Sequence, residues 1–287
     1  DHDHDTDMLC VKGRFGITEL VNHPTRLQRP AVSNNEGNLP VTWENAIELA
    51  AQKISGCDPE RYALVISADC SNETLYIAQK FVRHVVRSGS IYLSSSAAYG
   101  RALPEIERLY RAASPLSILS TADTILCLGF DGTYAQSVVE TELHYAKQRG
   151  AKLIAFDTAN YDLRKFSDEW LQPAPGDEAD LIEMLVEIVR ARSAGELWAL
   201  PPQVQRSARL LMESKQPVIA TGSSFLTSPD NVFLLRLVEK LMAELHAEVI
   251  LLPEQVNLGG ALQMGIKTPP SKTLLQNLEL LHLIGED

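Results

Sequence analysis

The sequence predicts an α/β fold built on parallel sheets, and three observations lead to that prediction. Apolar runs such as Tyr62–Ser67, Thr124–Leu128 and Lys152–Phe156 are bounded by polar residues, which is typical of buried parallel strands. Helical patterns of roughly ten to twenty residues separate the runs, as β-α-β units require. The 287 residues are 45% hydrophobic and 22% charged, a folded composition with enough chain for about two domains.

The elements follow one another in a regular order. Thr42 suits a helix N-cap because apolar residues spaced three and four apart come after it. Ser71 or Asn72 can cap the helix that follows the strand at Tyr62–Ser67, and Gly89 ends it. The later prediction is strand 124–128, helix 135–149, strand 152–156, helix 180–191, strand 217–221, helix 230–246, strand 248–252 and strand 280–284. The strand, helix and strand from Thr124 to Phe156 resemble one compact half of a Rossmann fold.

Charge and cysteine usage exclude several classes of protein. The net charge is −11 and basic residues do not cluster, so nucleic-acid binding is not expected. No apolar run reaches the roughly 18–20 residues of a membrane span, so we expect no direct membrane insertion. The four cysteines have no CxxC spacing, which favours a reducing, cytoplasmic setting over a disulfide framework.

Both ends of the sequence suggest a piece of a longer chain. Asp1–Asp7 carries two histidines among aspartates and has no helical or apolar periodicity. The strand at 280–284 is followed by Gly-Glu-Asp, where an α/β domain would ordinarily begin its next helix. We therefore expect a loop whose upstream half is missing at one end and a β-α unit cut at the other.

The most specific local motif is Leu9-Cys-Val-Lys-Gly-Arg-Phe-Gly16. Cys10 stands at the head of a glycine-rich turn, and Lys12 and Arg14 make its surroundings electropositive. Such surroundings stabilise a thiolate, including one that binds an iron–sulfur cluster. The alternative is a small residue in a tight turn with no chemical role.

Leu9–Gly16, the following Asn22-His-Pro-Thr-Arg-Leu27 and Pro30 resemble the molybdopterin oxidoreductase family, especially formate dehydrogenase catalytic subunits and the large iron–sulfur subunit of respiratory complex I. The resemblance continues through Cys70–Arg83, Pro175-Gly-Asp177 and Asn257–Gly265, so that nearly the whole chain aligns. It implies that Cys10 is one ligand of a 4Fe–4S cluster. It also implies that Lys12, between cluster and pterin, serves electron transfer.

The resemblance further implies two Rossmann-like, doubly wound parallel-sheet lobes, the second inserted in the first. On this basis residues 1–37 form an iron–sulfur-cluster connector. Residues 38–95 and 200–287 form the first α/β lobe, and residues 96–199 form the inserted lobe.

The metal-ligand position of the family departs from its pattern. A catalytic member carries a cysteine or selenocysteine, usually followed by histidine, directly after the strand that ends near Tyr92. This chain has Ser94-Ser-Ser96 there, so the soft thiolate expected for molybdenum or tungsten is missing. A serine oxygen from Ser94 or Ser95 is the alternative ligand.

The signatures for a pterin dinucleotide are also reduced. Gly129-Phe-Asp-Gly132 follows the strand at 124–128 but lacks a full GxGxxG motif. Asp157 closes the next strand, where an acidic side chain often binds a ribose or a guanine. We predict Gly129, Asp131 and Asp157 as vestigial contacts to molybdopterin guanine dinucleotide. The alternative is that Asp157 caps the turn that follows it.

The cluster needs three further thiolates, which the family supplies as CxxCxxxC upstream. Cys57, Cys70 and Cys127 do not converge on Cys10 by spacing, so we expect the other ligands to lie outside this chain. This predicts partner subunits that carry iron–sulfur clusters or flavin. No catalytic residue is predicted, and the Glu-rich helix 178–187 is interpreted as a solvated face.

The predicted function is an iron–sulfur-linked electron-transfer component of a multi-subunit redox complex, formate dehydrogenase-like or NADH dehydrogenase-like. One alternative is a fragment of a catalytic molybdenum or tungsten formate dehydrogenase that binds molybdopterin guanine dinucleotide. The other is a scaffold or interaction module without a redox role.

Overall fold

The computed structural model describes residues 10–35, 37–133, 135–191, 200–266 and 276–286. The predicted Asp1–Asp7 tail lies outside these residues. The strands are β1 (Ala31–Asn34), β2 (Gly37–Pro40), β3 (Tyr62–Ile66), β4 (Ile91–Leu93), β5 (Thr124–Leu128), β6 (Lys152–Phe156), β7 (Glu169–Leu171), β8 (Pro217–Thr221), β9 (Glu248–Leu251) and β10 (Leu280–Ile284). The α-helices are α1 (Ile17–Val21), α2 (Trp43–Ser55), α3 (Asn72–Lys80), α4 (Ser96–Tyr99), α5 (Leu103–Ala112), α6 (Ser137–Gln148), α7 (Glu178–Ala191), α8 (Pro202–Glu213), α9 (Ser223–Leu226), α10 (Asn231–Leu245) and α11 (Leu258–Gln263).

Two parallel sheets organise the chain, which confirms the predicted α/β class. The larger sheet has the order β7-β6-β5-β8-β9, and all of its neighbouring strands run parallel. The smaller has the order β10-β3-β4, also parallel. β1 and β2 form a separate antiparallel hairpin.

The chain divides into two compact units, and their boundary differs from the predicted one. The larger unit contains Ala97–Gly259, and the smaller contains Leu9–Ser96 with Gly260–Asp287. The prediction assigned residues 200–259 to the first lobe. The structure instead pairs β8 with β5 and β9 with β8, so these strands complete the sheet of the larger unit. The insertion therefore ends near residue 259 instead of 199.

The core of the larger unit forms on both faces of its sheet. All five residues of β5 are buried, as expected for a strand covered on both sides. On one face, Ile125 and Cys127 pack in a cluster with Leu143 and Ala146 of α6. Burying one such aliphatic side chain stabilises the fold by about 1.5–3 kcal/mol.

Local sequence explains where several helices begin. The hydroxyl of Thr42 accepts a hydrogen bond from the backbone N–H of Asn45 at 3.3 Å and so caps α2. Ser71 caps α3 through the N–H of Thr74, also at 3.3 Å. Such caps contribute roughly 1 kcal/mol each. Both match predicted N-caps.

Among the described helices, none is both long enough and apolar enough to cross a bilayer.

Candidate functional site at the strand ends of the larger unit

The order of the larger sheet creates a topological switch point between β5 and β8. From β5 the chain adds β6 and β7 on one side and then returns to add β8 and β9 on the other. In open parallel sheets of this kind, ligands bind in the crevice beyond the carboxyl ends of the strands at such a point. The residues that follow β5, β6 and β8 therefore form the candidate site.

The loops that follow β5 and β8 approach each other more closely than side chains would allow. Gly129 has a φ of +59°, and a Cβ atom on it would lie 2.5 Å from the backbone nitrogen of Phe225. A Cβ atom on Gly222 would lie 2.1 Å from the carbonyl oxygen of Gly129. Glycine is required at both positions because any larger residue would collide with backbone. Protein backbone thus occupies the crevice itself.

Ser224 and Asp157 meet beside this contact. The Ser224 hydroxyl donates to the carbonyl oxygen of Gly129 at 2.8 Å and lies 3.5 Å from Oδ2 of Asp157. The N–H of Ala159 donates to Oδ1 of Asp157 at 2.8 Å, the contact expected if Asp157 caps its own turn. The structure therefore brings the predicted residues Gly129 and Asp157 together.

Electrostatics around Asp157 disfavour further negative charge. Burial raises the pKa of Asp157, the hydrogen bonds from Ala159 and Ser224 oppose that rise, and the neighbouring carboxylate of Asp131 adds to it. Asp131 also contributes to a raised pKa at Glu140, where burial is again the main cause. The predicted residues Asp131 and Asp157 thus share an acidic neighbourhood with Glu140.

A cavity of about 170 Å³ opens beside Asp157, and we call it the Asp157 cavity. It is lined by Gly129, Phe156, Asp157, Thr158, Glu178, Ser224, Phe225, Ser228, Pro229 and Leu234. Sequence reasoning missed Ser224, and it interpreted the helix of Glu178 as a solvated face. The signal for Ser224 was Gly222, which follows the buried strand β8 as Gly129 follows β5.

The strand-end residues do not fit the diphosphate of a pterin dinucleotide. A diphosphate needs backbone N–H groups or cations aimed at its oxygens. Here the crevice is closed by the Gly129–Gly222 contact, and the described lining of the Asp157 cavity holds two carboxylates and no Lys or Arg. Its volume is also far below the roughly 300–1,000 Å³ of sites for drug-sized ligands.

The second predicted site, around Cys10, lies in the smaller unit. Cys10 is partly exposed and precedes a π-helix at Lys12–Gly16, in which Lys12 is exposed. The N–H of Gly13 donates to Sγ of Cys10 at 3.5 Å. Hydrogen bonds from N–H groups to sulfur stabilise a thiolate and tune the potential of a cluster bound to it. Cys10 therefore fits one ligand position of a cluster.

No group of three or more His, Cys, Asp or Glu side chains suited to a metal occurs within the described ranges. Cys127 is fully buried in β5, where burial raises its pKa. Burial and the nearby Asp69 and Glu286 carboxylates raise the pKa of Cys70, which keeps it protonated. That the remaining cluster ligands lie outside this chain stays a prediction.

The residues after β4 are those that the resemblance predicts at the family's metal-ligand position. The Ser94 hydroxyl donates to Glu286, and the Ser96 hydroxyl donates to the carbonyl oxygen of Leu93 at 2.6 Å. Both oxygens are therefore engaged within the smaller unit. Ser95 differs, since its buried hydroxyl has no partner among the residues that the structure describes.

Comparison with known proteins identifies the family. The family model described as molybdopterin oxidoreductase matches residues 26–276. The chain belongs to the molybdopterin oxidoreductase family. The matched range begins after the Leu9–Gly16 motif, so the roles of Cys10 and Lys12 remain predictions.

Curated relatives of this molybdopterin oxidoreductase chain are redox proteins. It is 26% identical over 184 residues to F420-dependent formate dehydrogenase 2 subunit alpha of Methanococcus maripaludis, covering 63% of this chain and 27% of that one. It is 28% identical over 189 residues to a subunit of the NADH-quinone oxidoreductase of Rhizobium meliloti, covering 65% and 22%. The chain thus spans about a quarter of the length of the curated relatives it matches.

Solved structures share the fold at low sequence identity. Acetylene hydratase from Pelobacter acetylenicus superposes with a TM-score of 0.64 at 15% identity, covering 87% of this chain and 38% of that one. A chain of the formyltransferase/hydrolase complex FhcABCD from Methylorubrum extorquens, solved with methylofuran, superposes with a TM-score of 0.58 at 13% identity, covering 90% and 82%. These likenesses establish the molybdopterin oxidoreductase-like fold alone.

Proposed function

We propose that this chain is an iron–sulfur-linked electron-transfer component of a multi-subunit redox complex, and that its metal-ligand position has been lost. Cys10 would hold one corner of a 4Fe–4S cluster, and partner subunits would carry iron–sulfur clusters or flavin. Such a cluster supplies one-electron transfer. The likeness to subunits of formate dehydrogenase and NADH-quinone oxidoreductase supports this class of complex.

The observation that carries the proposal is the hydrogen bond from the N–H of Gly13 to the sulfur of Cys10. It stabilises negative charge on that sulfur, and Lys12 and Arg14 add positive charge in the same turn. In this role Lys12 would lie on the route by which an electron leaves the cluster. The chain would act in the cytoplasm.

Loss of the catalytic metal is supported by two separate features. Ser94 and Ser96, at the ligand position, are already engaged as hydrogen-bond donors to Glu286 and Leu93. The strand-end crevice of the larger unit is closed to a diphosphate by Gly129 and Gly222. We therefore infer that Gly129, Asp131 and Asp157 are vestiges of a dinucleotide site and that the larger lobe serves as a scaffold.

Replacing Cys10 tests the cluster directly. We expect Cys10→Ser to lower the iron content of the purified complex by one cluster per chain and to remove one signal from its reduced electron paramagnetic resonance spectrum. Cys57→Ser is the matched control, because burial and Glu279 raise the pKa of that thiol and disfavour its thiolate. Unchanged iron in Cys10→Ser would refute the electron-transfer role.

Two alternatives each have one observation in their favour. The unpartnered buried hydroxyl of Ser95 favours a catalytic molybdenum or tungsten enzyme with a serine ligand. The coverage of 82% of a chain from the formyltransferase/hydrolase complex favours a scaffold without a redox role, since that chain is close in extent to this one. Stoichiometric molybdenum lost in Ser95→Ala would support the first, and a native complex without iron would support the second.

A further inference from the structure

We propose that the Asp157 cavity binds a small organic cation of the ammonium or guanidinium type, in place of the phosphorylated ligands that switch points of parallel sheets ordinarily hold. The cavity is formed wholly within the larger unit. The proposal is independent of the iron–sulfur role, which does not use this cavity.

The first support is the charge of the cavity wall. Asp157 and Glu178 both line it, and neither forms an ion pair with any residue that the structure describes. Their hydrogen-bond donors are neutral: Ser224, Thr158 and the Ala159 N–H for Asp157, and the Gly176 N–H, at 2.7 Å, for Glu178. A partly buried carboxylate without a cation is costly, so this wall favours a ligand that brings positive charge.

The second support is the chemistry of the remaining wall. Phe156, Phe225 and Leu234 are apolar lining residues, and Ser224 and Ser228 are lining residues that carry hydroxyls. The faces of the phenyl rings attract cations, and hydroxyl oxygens accept hydrogen bonds from N–H groups. A compact cation with an apolar part meets both kinds of surface.

Size limits the ligand further. The volume of about 170 Å³ lies below the roughly 300–1,000 Å³ of sites for drug-sized ligands. A nucleotide exceeds this volume, whereas methylguanidinium or a short alkylammonium fits. The Gly129–Gly222 contact also closes the adjoining crevice, so a larger ligand could not extend over the ends of β5 and β8.

Binding can be measured on the full chain by nuclear magnetic resonance titration with methylguanidinium chloride at constant ionic strength, with GDP as the anionic comparison. We expect saturable shifts at Ser224 and Phe225 with methylguanidinium and none with GDP. Asp157→Asn should weaken binding at least tenfold. Glu183→Gln, which removes an exposed carboxylate of α7 outside the cavity, should leave it unchanged.

The outcomes against the proposal are equally definite. The proposal would be overturned by chemical shifts that grow linearly with methylguanidinium without saturation. It would also be overturned if Asp157→Asn bound methylguanidinium as tightly as the wild type, or if GDP bound more tightly than methylguanidinium. If Asp157→Asn unfolds, Glu178→Gln provides the same comparison. Because these readouts do not involve iron, failure here leaves the electron-transfer proposal standing, and the reverse is also true.

Discussion

Replacing Gly129 by alanine should destabilise the larger unit through two effects that a matched variant separates. An alanine with a φ near +59° costs about 1–2 kcal/mol, because its Cβ crowds its own backbone. The new Cβ would also lie 2.5 Å from the nitrogen of Phe225, and overpacking of this kind costs about 1–3 kcal/mol. The free energy of unfolding should therefore fall by about 2–5 kcal/mol.

Gly100 supplies the control within the same unit. Its φ is +54°, and a Cβ atom on it would meet nothing within 4 Å. Gly100→Ala should thus lose only the backbone contribution of about 1–2 kcal/mol. The excess loss in Gly129→Ala should lower its melting temperature by about 2–12 °C relative to Gly100→Ala.

Urea denaturation and thermal melting, both followed by circular dichroism, measure the two variants. Equal losses in Gly129→Ala and Gly100→Ala would refute the close approach between the loops after β5 and β8. That result would reopen the crevice to a larger ligand.

Further predictions concern buried carboxylates. Burial raises the pKa of Asp157, so ionisation of this side chain lowers the stability of the folded protein as pH rises above about 3.9. Asp157→Asn should therefore raise the free energy of unfolding at pH 7 and lose that gain at pH 3. Asp168 is the opposite case: burial alone would raise its pKa, but the hydrogen bond from Lys147 opposes this and the pKa is lowered. Asp168→Asn should therefore reduce the free energy of unfolding by on the order of 1 kcal/mol at pH 7, and leave it unchanged once pH falls below the folded pKa. Urea midpoints across this pH range that move in the same direction for both variants would contradict these assignments. Arg236→Ala should reduce the free energy of unfolding by about 1–3 kcal/mol at pH 7, because Glu105 is only 6% exposed and loses its charged partner. An unchanged melting temperature in this variant would contradict the prediction.

Strand positions could be predicted from the sequence because each strand is a local apolar run. Lys152–Phe156, Pro217–Thr221 and Leu280–Ile284 form strands over the predicted residues. The helix predicted at 135–149 begins later, at Ser137, because Gln136 still belongs to the strand-end loop, where its N–H bonds the carbonyl oxygen of Asp131 at 3.0 Å.

The lobe boundary could not be predicted in the same way, because strand pairing is not a local property. Pro217–Thr221 has the apolar pattern of any buried parallel strand, and nothing within it specifies that β5 is its neighbour. The same reason explains the site. Gly129 and Asp157 could be identified from their own strand ends, whereas Ser224 joins them only because β8 lies beside β5.

The metal content of the native protein tests the central claim most directly. We predict iron in the purified complex and no stoichiometric molybdenum or tungsten bound to this chain, since Ser94 and Ser96 are engaged elsewhere and the diphosphate crevice is closed. Elemental analysis of the wild-type complex beside Ser95→Ala makes the measurement specific to this chain. One molybdenum or tungsten per chain, lost in Ser95→Ala, would contradict the account.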